Sequence, residues 1–262
     1  MSIQLHTGDC VDIMQTHLAK ETIDLTITSP PYDNMRAYQG YTFDFEGIAQ
    51  ELLRVTKQGG IVVWVVADQT VDGDETGTSF QQALYFKEIG FKLFDTMIYM
   101  KQPRGAIGSR KAYWNVFEYM FVLSKGHPKT ICLLKDRKNK EARSKNTGTK
   151  RYKDGTLKSH KRGGYGIYGR RTNVWQYTVG SGLSTKDKLA HQHPAIFPEQ
   201  LALDHILSWS KTGDLILDPM CGSGTVGKMA IQNGRNFIGI DISSEYIEIT
   251  KERLKEFQML LF

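Results

Sequence analysis

Residues 215–225 read Leu-Ile-Leu-Asp-Pro-Met-Cys-Gly-Ser-Gly-Thr, and no other stretch constrains the fold of this chain so tightly. An apolar run ends in an acid, a glycine turn follows, and a helical pattern begins at Thr225. Gly222 and Gly224 let the backbone turn sharply and approach a ligand closely. The next apolar run, Phe-Ile-Gly-Ile-Asp, ends at Asp241, 19 residues after Gly222. Strand, turn, helix and strand in this order belong to an open α/β sheet, which binds ligands at the carboxyl ends of its strands. An acid at that offset hydrogen-bonds ribose hydroxyls in nucleotide-binding units. The turn is not a phosphate loop, because no Gly-Lys-Ser/Thr follows. It is not a dinucleotide turn either, since Gly227 arrives one residue late. An adenosine-bearing ligand without a pyrophosphate fits best.

The remaining pattern supports a mostly parallel sheet covered on both faces, a doubly wound α/β fold. Residues 23–28 form a β-branched run stopped by two prolines. Phe45, Ile48, Ala49, Leu52 and Leu53 share a helical face that the spacing ends at Gly59–Gly60. Residues 61–67 are continuously apolar, as buried parallel strands are. A helix is expected over about 79–89, strands over 94–101 and 116–124, a helix from Pro198 and helices from Thr225 and Ser243. With 262 residues the chain can bury one full core. The expected division is a main domain of residues 1–134 and 190–262 carrying an insertion of residues 135–189.

That insertion holds the charge. Residues 135–171 carry 14 Lys/Arg against 3 Asp/Glu, a balance of +11 within a net +6, and so leave the rest of the chain at −5. A concentrated basic segment on a nearly neutral body points to a polyanion partner. Lys138, Lys140, Lys161, Arg162, Arg170 and Arg171 are the candidate residues for holding it, with Tyr165 and Tyr168 interleaved as in nucleic-acid loops. A solvated loop is the plainer alternative for any basic run.

Ser29-Pro30-Pro31-Tyr32 closes the first apolar run. An exocyclic amino nitrogen of cytosine or adenine is a poor nucleophile, because its lone pair is delocalised into the ring. Acceptors on its two N–H bonds draw it toward tetrahedral geometry and stabilise the developing charge. A polar side chain followed by a proline carbonyl supplies two acceptors, and the Pro-Pro pair is rigid and lacks N–H groups. Tyr32 offers a face on which a flipped base can stack. In isolation such a segment is also an ordinary strand-ending turn.

Thr28-Ser-Pro-Pro-Tyr32 and Asp218-Pro-Met-Cys-Gly-Ser-Gly-Thr225 together resemble the catalytic and cofactor motifs of the N4-cytosine/N6-adenine DNA methyltransferases. Their order, catalytic loop first, resembles that family's circularly permuted beta group. The resemblance implies S-adenosyl-L-methionine as cofactor, duplex DNA as substrate and transfer to an exocyclic amino group. It implies cofactor contacts from Asp218, Pro219, Met220, Gly222, Gly224, Thr225 and Asp241. Gly8-Asp9-Cys10 is similar to the segment near the cofactor adenine, which adds Asp9 and Cys10. His193-Pro-Ala-Ile-Phe-Pro198 is similar to the segment closing over the methionine end, which adds His193. Met220 stands where the family has an aromatic and Phe197 where lysine is common. The serine of Ser-Pro-Pro-Tyr favours cytosine N4 over adenine N6, and the basic insertion lies where the beta group reads its target. The family also leaves room for a cognate restriction endonuclease.

The competing chemistries fit less well. Cytosine C5 methylation needs a thiolate, which in that family follows a proline, and none of Cys10, Cys132 and Cys221 does. His191 and His193 lack a third ligand, so no metal site is expected. Three scattered cysteines, no membrane-length apolar run and no signal-peptide pattern fit a cytoplasmic protein. A nucleic-acid-binding protein with a vestigial cofactor pocket is the rival class, and the intact acids and proline loop oppose it.

Overall fold

The computed structural model describes residues 1–31, 43–102, 113–140, 147–161, 166–180, 182–193 and 196–258. Tyr32, Arg162 and Tyr165, singled out above, lie outside these residues. The chain begins β1 (Ile3–Thr7), α1 (Cys10–His17), β2 (Ile23–Thr28), α2 (Phe45–Val55) and β3 (Thr56–Val66). A short pair, β4 (Thr70–Val71) and β5 (Asp74–Glu75), precedes α3 (Thr78–Glu88), β6 (Lys92–Gln102) and β7 (Phe117–Ser124). Residues Leu133–Thr172 form a separate compact unit. It contains β8 (Arg137–Lys138), β9 (Thr147–Arg151), β10 (Leu157–Lys161) and β11 (Tyr168–Gly169). The larger unit resumes with β12 (Val174–Thr178), a 3-10 turn (Lys188–Gln192), α4 (Glu199–Trp209), β13 (Leu215–Asp218), α5 (Thr225–Gln232), β14 (Asn236–Asp241) and α6 (Ser244–Gln258).

Eight strands make the central sheet in the order β1-β14-β13-β2-β3-β7-β6-β12. β7 runs antiparallel to both neighbours, and every other neighbouring pair is parallel. The doubly wound, mostly parallel sheet expected from the alternating pattern is therefore what forms. Side chains alternate across each strand, and both faces are covered. On one face, Met14 of α1, Ile48 and Leu52 of α2 and Phe86 of α3 pack with Val62, Trp64, Leu123, Leu217, Ile238 and Ile240. On the other, His205 of α4 places Nε2 3.2 Å from the Met120 sulfur and its ring 4.7 Å from Trp175. Gly227 of α5 lies so close to Phe237 that a Cβ there would come within 2.4 Å of the ring. From Ile61 to Val66 β3 reads as unbroken apolar sequence because both of its faces are buried there.

β13 and β2 are neighbours, yet their connections leave in opposite senses. From β13 the chain goes through α5 to β14 over one face. From β2 it goes through α2 to β3 over the other. Such a topological switch opens a crevice at the strands' carboxyl ends, where α/β sheets bind ligands.

Two sequence expectations need correction, and two elements went unexpected. Gly59–Gly60 do not end a helix. α2 stops at Val55, and β3 passes through both glycines, with the Gly60 carbonyl accepting the Lys125 N–H at 3.1 Å. The insertion is shorter than 135–189. Residues from Asn173 onward belong to the larger unit, because Val174–Thr178 pairs with Ile98–Gln102. Trp175 and Tyr177 anchor that return, both buried, and the Tyr177 hydroxyl donates to Asp204 at 2.7 Å. Finally, β1 and α1 carry too few apolar residues to stand out by period, although β1 pairs along its length with β14.

Candidate active site

At the switch point β2 ends in Thr28 and β13 ends in Asp218. The Thr28 hydroxyl donates a 2.9 Å hydrogen bond to Oδ1 of Asp218, joining the strand that feeds the proline loop to the strand that feeds the glycine turn. Oδ1 also accepts the Met220 N–H at 3.2 Å. Asp218 is 5% exposed, and burial pushes its carboxyl up to about 7 against the opposing pull of those two hydrogen bonds. Beyond Thr28, Ser29 and Pro31 are half-buried and Pro30 is buried. The proline rings prevent β2 from continuing, so the chain leaves the sheet at this point.

Asp241 ends β14, next to β13. Its Oδ2 accepts the Gly222 N–H at 2.8 Å and its Oδ1 accepts the Ser243 N–H at 2.9 Å. Burial raises its carboxyl, and the two N–H donors lower it. The Gly222 carbonyl in turn accepts the Thr250 hydroxyl at 2.9 Å. Gly222 has φ +50°, and a Cβ there would lie 2.8 Å from Nε2 of His193. His193 therefore sits against the turn, with its ring edge-on to Tyr246 at 4.4 Å. Gly224 is left-handed at the start of α5, and Pro219 is buried beside half-buried Met220. Met220 packs against the core on the α1–α3 face rather than presenting a stacking surface.

The N-terminal segment reaches the same place. The Gly8 N–H donates to the Asp241 carbonyl at 3.0 Å. Asp9 caps α1 by accepting the Val11 N–H at 2.8 Å and the Asp12 N–H at 3.3 Å. Burial pushes the Cys10 thiol up to about 12, and Asp9 adds to it. Cys221 is buried too, and burial with the Asp218 and Asp241 charges holds its thiol well above the usual range. A neutral buried thiol is inert, so Cys221, inside the glycine turn, is not a nucleophile for C5 chemistry.

Several residues that the sequence reading missed hold this arrangement together. Arg253 of α6 is fully buried at its side chain. Its guanidinium donates to the Ser223 carbonyl in the glycine turn, to Asp187 at 2.7 Å and to Glu199 at 3.4 Å. Its Nη1 also lies 3.4 Å from the Thr225 hydroxyl, which accepts from it. Lys228 adds Glu199 at 2.8 Å and Asp187 at 3.6 Å, and the Thr185 hydroxyl donates to Glu199 at 2.7 Å. Asp187 also caps the 3-10 turn that leads to His193. The segment carrying His193 and the glycine turn are thus linked through two cations and two carboxylates. A clue lay in the sequence: Arg253 falls on the buried stripe of α6 with Ile249, Thr250 and Leu254.

The candidate DNA-binding residues lie in the unit Leu133–Thr172, described by itself. Lys138, Lys140 and Arg170 are exposed. Arg171 is instead a staple of the unit. Its Nε lies 3.1 Å from both oxygens of Asp136, whose carboxyl the arginine holds below the usual range, and its N–H donates to the Leu134 carbonyl at 2.9 Å. The backbone of Lys161 ends β10.

The comparisons with known proteins agree with this geometry. The N6/N4 family model described as DNA methylase matches residues 23–252. A Bacillus amyloliquefaciens protein, the orphan methyltransferase M.BamHII, is 55% identical over 250 residues, covering 94% of each chain. The solved PvuII DNA methyltransferase (cytosine-N4-specific) superposes with a TM-score of 0.70 at 16% identity, over 99% of this chain and 91% of that one. The complex of M1.HpyAVI with S-adenosylmethionine gives 0.63 at 22% identity, over 96% and 100%.

Proposed function

This chain belongs to the N6/N4 DNA methylase family, and from that premise we propose that it methylates the exocyclic N4 of cytosine in duplex DNA, using Ser29 and the Pro30 carbonyl as acceptors. As a member of that family it is a methyltransferase that draws on S-adenosylmethionine. The observation that carries the proposal is the bond between Thr28 and Asp218, which sets the proline loop beside the glycine turn at the switch point.

The residues suit the cofactor. Each oxygen of Asp241 accepts one backbone N–H and keeps a lone pair for a ribose hydroxyl. The turn at Gly222 is a cradle that a Cβ would fill, with His193 against it, and Gly8, next to Asp9 and Cys10, donates to the Asp241 carbonyl. Asp241 would hold the ribose, Gly8 to Cys10 the adenine side, and His193 with residues 218–225 the methionine end. When bound, the cofactor supplies an electrophilic methyl group and departs as the neutral thioether.

The chain's own part is to shape the nucleophile. The Ser29 hydroxyl and the Pro30 carbonyl accept the two N–H bonds of the amino group, so the lone pair turns out of the ring plane. That lone pair forms the new N–C bond, and one amino proton leaves to water. Tyr32 stacks on the flipped base and keeps it in place. Removing one such preorganised partner commonly costs 10²–10³ in rate.

The preference for cytosine rests on the resemblance of Ser-Pro-Pro-Tyr to the family's cytosine-N4 loop, since the amino groups of the two bases offer the same donors. Mass spectrometry of nucleosides from DNA treated with the enzyme and cofactor tests this. N4-methylcytosine supports the proposal, N6-methyladenine replaces the base but keeps the mechanism, and 5-methylcytosine overturns the mechanism. The relative of 55% identity is named an orphan methyltransferase, so the proposal includes no cognate endonuclease.

A further inference from the structure

β9 and β10 form an antiparallel hairpin whose register sets Lys158 directly opposite Lys150. The turn is well closed. Tyr152 N–H donates to the Thr156 carbonyl at 2.9 Å, and Gly155 N–H to the Tyr152 carbonyl at 3.0 Å. Asp154 accepts the Thr156 N–H at 3.0 Å and its hydroxyl at 2.8 Å. Residues two apart on a strand share a face, so Tyr152 lies on the face of Lys150. Both ammonium groups stand over its ring, at 5.8 Å for Lys150 and 5.3 Å for Lys158.

Like charges directly across a ladder destabilise a hairpin. Among the described residues neither ammonium has a carboxylate within ion-pair distance. Attraction to the ring acts against that repulsion, but the ring brings no negative charge to neutralise either ammonium. The one acid in the turn, Asp154, is engaged with Thr156. The hairpin therefore presents two cations that no carboxylate pairs among the described residues. A two-stranded ribbon is also narrow enough to enter a major groove.

We propose that Lys150 and Lys158, seated on Tyr152, form a phosphate-binding site by which the hairpin β9–β10 grips the backbone of duplex DNA. This rests on the reading of the chain as a DNA methylase whose basic unit holds its substrate, and it names the element that does so. The contact is electrostatic and blind to sequence, so it sets affinity and register rather than the base that is read.

The test uses the full chain with Lys150→Gln and Lys158→Gln combined, and measures affinity for several duplexes over a range of salt. Each phosphate contact contributes about 0.9 to the slope of log affinity against log salt, so the double variant should lose about 1.8, equally for every duplex. Its affinity for S-adenosylmethionine should be unchanged and its melting temperature close to wild type, because the change removes the mutual repulsion together with the two ring contacts. An unchanged salt slope overturns the proposal, and so does a lowered melting temperature that accounts for the loss. Replacing Lys138 and Lys140 by Gln gives the second arm. If only that pair lowers the slope, the hairpin site is wrong while DNA binding by the basic unit stands. If wild-type affinity does not depend on salt, both fall.

Discussion

Asp241 carries a structural bond pattern in the fold and, in the proposal, the ribose as well. From its offset after Gly222 it was expected to meet ribose hydroxyls; in the fold it also closes the turn, by accepting the Gly222 and Ser243 N–H groups. Asp241→Ala should weaken S-adenosylmethionine binding by about 1–3 kcal/mol, the range for lost hydrogen bonds to a charge, and calorimetry on the folded variant checks it. Unchanged affinity would remove Asp241 from the cofactor site. Asp218 gives a pH signature. Its folded carboxyl ionises near 7 because of burial, whereas an unfolded aspartate ionises near 3.9. Between those values the folded chain holds a proton that the unfolded chain has released. The contribution of this group to stability is therefore full below about pH 4 and is lost as the pH rises to about 7, by up to about 1.4 kcal/mol per unit. Asp218→Asn should flatten that part of the profile in urea unfolding, and an identical slope in the variant would contradict the assignment.

Elements were legible where their hydrophobic period was strong. β2 matches the expected bounds and α5 the expected start, and β7, β13 and β14 were found within a few residues, whereas β3 begins five residues before the apolar run. β12 was not, since Val174–Thr178 alternates exposed and buried over only five residues inside a polar stretch, and its ladder partner lies far away in sequence. The proline loop and glycine turn were legible as motifs. Their meeting through Thr28 was not, because a bond between residues 28 and 218 exists only once β2 and β13 lie side by side. The ion cluster around Arg253 escaped for the same reason, its members coming from α4, α5, α6 and the segment before the 3-10 turn. Breaking a buried pair leaves a charge uncompensated, at about 3–5 kcal/mol when burial is complete. Asp187 and Glu199 are each about a fifth exposed, and Lys228 still reaches both. Arg253→Met should therefore cost about 2–3 kcal/mol in chemical unfolding and raise the KM for S-adenosylmethionine more than it lowers kcat. Arg253→Lys should recover part of the KM. An unchanged KM would make the cluster a stabilising feature without influence on the cofactor turn.

At the scale of the whole molecule the chain divides its labour. A sheet with both faces buried holds the proposed site at one switch point, and the unit Leu133–Thr172 concentrates the positive charge. Composition alone made that charge asymmetry visible, but it could not tell a staple such as Arg171 from an exposed lysine such as Lys138. No described helix is long and apolar enough to cross a membrane. The central claim is that the proline loop performs the transfer while the glycine turn holds the cofactor, and Ser29→Ala separates the two roles. In a single-turnover assay with saturating DNA and cofactor, the variant should transfer methyl groups about 10²–10³ times more slowly, with wild-type affinity for S-adenosylmethionine. A wild-type single-turnover rate in Ser29→Ala would contradict the account.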